Sequence, residues 1–135
     1  MRELIFRGKT LDNGEWVQGY YVCIGGERHY ILTGKIVIEG CIAGFENLRV
    51  DPETVGQYTG LTDSNGKKIF EGDIVKRLFY FGLPVLSVVI FENGAFGLEW
   101  NRGKVKEFSA FTSICNCTYE VIGNIYDNAE LLGDI

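Results

Sequence analysis

A chain of 135 residues with 46% hydrophobic and 23% charged side chains has room for one compact unit, or two very small ones, and can bury a core without covalent staples. Its net charge of −5 is spread evenly, with seven bases against nine acids up to residue 67 and six against nine beyond it. That balance speaks against a generally basic nucleic-acid binder, which needs Lys and Arg to neutralise phosphates, and leaves room only for a local basic patch.

In chain order, the start "MRELIFRGKTLDNGEW" has no apolar stretch of signal-peptide length, and arginines interrupt what there is. The most apolar run, residues 83–91, contains Pro84 and Ser87 and is far too short to span a bilayer. Together with Cys23, Cys41, Cys115 and Cys117, this places the protein in a reducing cytoplasm with no membrane role. Glycine is the outlier, 18 of 135 residues, nearly twice its usual share of about 7%. Each glycine inside a helix costs about 1 kcal/mol relative to alanine. The longer glycine-free stretches are broken by Pro52 or are rich in Val, Ile, Thr and aromatics, so the pattern predicts a mainly β protein.

The first half offers strands at residues 3–7, 16–24, 29–32 and 35–39. The second half offers strands at 73–81, 85–92, 96–100, 105–108 and 119–123. "DNG", "GG", "SNG" and "ENG" mark turns between strands, because Asn and Gly tolerate the positive φ of tight hairpins. Short helical turns are expected after Asp51, as an N-cap ahead of Pro52, and after Asn128. The predicted division is an N-terminal β subdomain with a hairpin linker, residues 1–72, and a C-terminal β subdomain, residues 73–135. Strands at this spacing suit small barrels or a sandwich.

The stretch from Pro52 to Arg77, "PETVGQYTGLTDSNGKKIFEGDIVKR", invites a ligand-loop reading that its spacing defeats. A phosphate loop needs four residues between its glycines and a hydroxyl after its lysine, whereas here Lys67 is followed by Lys68. A calcium loop starting at Asp63 would place Lys67 at a ligand position and its glycine too early. Glu71-Gly72-Asp73 reads as a turn entering a strand with solvated acids, in preference to a catalytic carboxylate pair.

Cys115 and Cys117 would share one strand face, and with Cys23, Cys41 and His29 they are the available metal ligands. No C-x-x-C knuckle exists, so buried free thiols are the expectation and no metal or other cofactor is assigned. His29 is the only histidine and has no nucleophile–base pattern beside it, so no catalytic residue is assigned either. Lys76, Arg77, Arg102, Lys104 and Lys106, interleaved with Tyr80, Phe81 and Trp100, form the candidate nucleic-acid face. The competing reading makes them solvated strand edges, where Lys discourages edge-to-edge pairing, and the acidic total favours it.

"VDPETVGQYTGLTDSNGKKIFEGDIVK" at residues 50–76 and "YEVIGNIYDNAELL" at 119–132 closely resemble the YopX family of phage and prophage proteins. "RELIFRGK" and "GEWVQGYY" are consistent with that family's N-terminus, and Ala129 stands where its closing motif is expected to carry proline. The resemblance implies a phage-related cytoplasmic protein whose C-terminal half forms an SH3-like barrel, with "EGDIVKR" as the barrel's first strand. It transfers no catalytic residue.

Three functions compete. The first is a non-catalytic binding or assembly module that self-associates and has a phage or host protein as a further partner. The second is a nucleic-acid-binding accessory protein using the basic–aromatic face. The third is an enzyme built on Glu71, Asp73, Glu92 or Glu99, ranked last because fold alone confers no function. The expectation is therefore not an enzyme.

Overall fold

The computed structural model describes residues 3–79, 85–102, 104–111 and 117–133. They are almost wholly β. The strands are β1 (Phe6–Lys9), β2 (Trp16–Ile24), β3 (Arg28–Glu39), β4 (Ile42–Arg49), β5 (Gly56–Thr62), β6 (Lys68–Phe70), β7 (Asp73–Phe79), β8 (Val85–Glu92), β9 (Ala95–Arg102), β10 (Val105–Ala110) and β11 (Cys117–Asn124). Short 3-10 turns occur at Pro52–Thr54 and Ala129–Leu131, both where the sequence predicts a helical turn. Packing divides the chain into two units, residues 1–58 and 59–135, with the division falling inside β5.

In the first unit the strands run in the order β4-β3-β2-β1-β5 and every pairing is antiparallel. Ile31 and Val50 are fully enclosed there. The 3-10 turn ties this sheet together locally. Asp51 accepts a bond from the Glu53 amide at 3.0 Å, and the Thr54 hydroxyl accepts one from the Lys9 amide of β1 at 2.9 Å. A proline in the first helical position loses no bond, since its amide would have had no partner.

The two strands predicted at 29–32 and 35–39 are a single long strand, β3, whose register slips between Leu32 and Ile36. Gly34 lies in that bulge at φ 89°, a conformation glycine adopts without strain. β4 was not anticipated as a strand. Its "ENLR" end lacks the β-branched run that marks strands, and pairing along β3 supplies what propensity does not.

In the second unit β7 to β10 form a meander, and β11 returns to pair with β7, giving the order β10-β9-β8-β7-β11. The later part of β5 and β6 form a hairpin through the Ser64-Asn65-Gly66 turn. One core cluster holds this unit together: Ile69 from the hairpin with Val75, Val89, Leu98 and Val121 from the sheet, flanked by Trp100, Phe111 and Tyr119. Gly72 joins β6 to β7 at φ 93°. Its amide donates to the Val89 carbonyl and its carbonyl accepts from Ile125, both at 2.9 Å.

Candidate functional site

Of the residues singled out as a nucleic-acid face, the described side chains of Lys76, Arg77, Lys104 and Lys106 differ in exposure and in partners. Arg77 is only 3% exposed, and its guanidinium lies over the Trp100 ring, 4.3 Å from the centroid. Lys76 is half-buried on β7, directly opposite Glu120 of β11. Lys106 is exposed, but its ammonium lies 3.8 Å from the Glu99 carboxylate on β9. Lys104 is exposed in the β9–β10 turn. The Arg102 side chain, Tyr80 and Phe81 lie outside the described residues. Trp100, Glu99, Lys106 and Leu86 line a cleft of about 170 Å³ in which, among the described residues, Glu99 is the one carboxylate.

The acids of the former ligand-loop stretch have structural tasks. The turn at Glu71-Gly72 is present, but Asp73 is buried and not solvated as expected. Its carboxylate accepts a bond from the Phe70 amide at 2.8 Å, so it clamps the turn from inside. Asp63 is also enclosed, only 7% exposed. One of its oxygens takes the amides of Asn65 and Lys67, each at 2.9 Å, and the other takes the Val121 amide at 3.0 Å. Burial alone would raise its pKa, but those three amides and the nearby Lys67 charge outweigh burial and hold it below the usual aspartate value. A carboxylate so fully used by the backbone binds a hairpin to β11, not a ligand.

Of the candidate metal ligands, Cys23 and His29 are cross-strand neighbours and Cys41 lies in the β3–β4 turn. Cys23 and Cys41 are free and exposed, whereas Cys115 and the Cys117 side chain lie outside the described residues. Among the described residues no three His, Cys, Asp or Glu side chains gather as a metal site would require. His29 pairs across β2–β3 with Cys23, and its Nδ1 meets the Tyr21 hydroxyl. Burial and the adjacent Cys23 raise the Tyr21 pKa. Phe6 packs on Tyr21 with ring centroids 5.5 Å apart, so this side of the sheet is built up by aromatic contact.

The opposite side of the same sheet is bare. Strand alternation and register put Tyr20, Val22 and Ile24 of β2, Tyr30, Leu32, Ile36 and Ile38 of β3, and Phe45 of β4 on one face. Tyr20, Ile24, Ile36, Ile38 and Phe45 are 64%, 56%, 60%, 69% and 62% exposed. Between them runs a concavity of about 450 Å³, lined by Val22, Ile24, Tyr30, Leu32 and Phe45 with Arg28 and Asn47 at its margin. This face was missed in the sequence, although the signal was there. β3 reads apolar at both alternating positions, in Tyr30-Ile31-Leu32 and again in Ile36-Val37-Ile38, and that is the pattern of a strand covered on two sides.

The fold so described is that of an all-β protein made of two antiparallel sheet units. The family described as "YopX protein" matches residues 5–133, and the chain belongs to the YopX family. In fold it is similar to the crystal structure of protein EF1440 from Enterococcus faecalis, with a TM-score of 0.61 at 24% identity over 98% of this chain and 99% of that one. No curated protein matches the chain. Among the described residues no helix is long and apolar enough to cross a membrane.

Proposed function

We propose that this YopX-family chain is a non-catalytic binding and assembly module of phage or prophage type, acting in the cytoplasm by burying the apolar face of β2–β4 against a protein partner. The open apolar face carries this reading, since monomers rarely leave so large an apolar patch in water. The exposed free thiols of Cys23 and Cys41 suit a reducing compartment. The second unit supports an SH3-like small barrel, because four strands in a meander followed by a fifth that pairs with the first is the order such a barrel uses. Its acids give no support to catalysis, as Asp63 and Asp73 are spent on backbone amides. Its cations favour ion pairing and stacking within the unit over phosphate contact.

The test is affinity capture from phage-induced cells, with and without nuclease. Protein partners retained after nuclease treatment are expected. A catch that vanishes with nuclease, and whose binding falls steeply with salt, moves the assignment to nucleic acid and to Lys104 and Lys106.

A further inference from the structure

The register of β2, β3 and β4 assembles one apolar face around a concavity, and its size and chemistry bear on what covers it. Aromatic side chains carry on the order of 200 Å² each and an isoleucine about half as much. Tyr20, Phe45, Ile24, Ile36 and Ile38, each more than half open, therefore expose on the order of 400 Å² before the half-buried Val22, Tyr30 and Leu32 are counted. A stable interface takes about 800 Å² from each partner, so these five alone supply about half of one share. We infer that the face is the contact between two copies of this chain, packed sheet on sheet; the inference rests on the assembly reading above and names its surface.

The chemistry of the face supports a second copy over a charged partner or a lipid surface. It is apolar across its centre, and its charged groups, Arg28 and Arg49, stand at the margin. A lipid headgroup surface would call for freely exposed cations around the apolar residues, whereas Arg7 and Lys9 of β1, on the same side by register, lie over the Trp16 ring and Arg7 is buried. An identical apolar face needs no charge complement, and a two-fold axis makes it self-complementary. Two such sheets stack about 10 Å apart with interdigitated side chains.

Light scattering on a dilution series, with Ile36→Lys, Phe45→Lys and the control Val105→Lys, tests this. Val105 is 62% exposed in the second unit. The wild-type chain and the control are expected to form dimers. Each face variant should weaken association by at least about tenfold, since a lysine is then desolvated at the centre of the contact. Dimers that persist in both folded face variants overturn the surface and leave the assembly reading standing. A wild-type chain that stays monomeric at every concentration overturns this inference and leaves a different protein as the partner of the face, which the capture experiment decides. Because a face variant can fail to fold, methyl NMR of the wild-type chain supplies a check without substitution. On dilution the Ile24, Ile36 and Ile38 methyls should shift while Val105 stays still, and concentration-independent Ile methyls in a dimeric sample overturn the proposal.

Discussion

At the scale of single residues, the chain uses its buried polar groups to fix backbone. Asp63 joins a hairpin to a strand 58 residues later in sequence through the Val121 amide. Its folded pKa lies below the unfolded one. The stability it contributes is therefore fully present above the unfolded value of about 3.9 and is lost as pH falls through the folded value. Asp63→Asn should cost about 1–3 kcal/mol at neutral pH, because an amide group cannot accept from three backbone donors at once. In urea titrations the gap to wild type should close toward pH 3; a gap that stays constant across pH refutes the role of its charge.

Ser87 presents the reverse case. Its hydroxyl is fully buried and has no hydrogen-bond partner among the described residues. Ser87→Ala is expected to stabilise the protein by about 1 kcal/mol, read as a rise in the urea midpoint at unchanged slope. The sequence placed Asp63 beside the "SNG" turn and as the start of a calcium loop that its spacing defeats. Its third bond was illegible there, because nothing local in "LTDSNGKK" points to Val121.

At the scale of elements, periodicity and turn residues served well wherever the chain is local. β2 was predicted with its observed bounds, and the Asp51 cap and the turn after Asn128 follow from their own side chains. β4 and the continuity of β3 were hidden, because both depend on partners across a bulge. The bulge itself yields an expectation. At φ 89° a β-branched residue is strained, so Gly34→Val should destabilise the outer part of the β3–β4 hairpin by about 1–2 kcal/mol. Hydrogen exchange should quicken for the amides of residues 36–45, while β7–β9 keep their protection. Uniform quickening would show that the hairpin does not act as a separate element.

At the scale of the whole molecule, the two units are enclosed to different degrees. The second has a connected core of Ile69, Val75, Val89, Leu98 and Val121. The first holds Ile31 and Val50 on one side of its sheet and leaves the other side open. Thermal unfolding should accordingly show two transitions. The one assigned to residues 1–58 should rise with protein concentration, as partner-linked stability does, and that of residues 59–135 should not. Scanning calorimetry across a concentration series checks this, and a single concentration-independent transition contradicts it. The fold class was legible from the whole sequence because glycine spacing and strand periodicity are distributed along all of it. The bare face was legible only in part: β3 reads apolar at both alternating positions, but which of its residues share a side with those of β2 and β4 follows from register.

The pairing of β7 with β11 also bears on synthesis. The ribosome releases the first strand of that sheet some forty residues before its last, so the nascent second unit must wait with β7 lacking one neighbour. Until β11 emerges, Asp63 has no Val121 amide to accept and the β7 edge is open to mispairing. Closure of this unit therefore waits on the emergence of β11, and a nascent chain arrested before β11 has left the ribosome should recruit chaperones where one arrested after it has left does not.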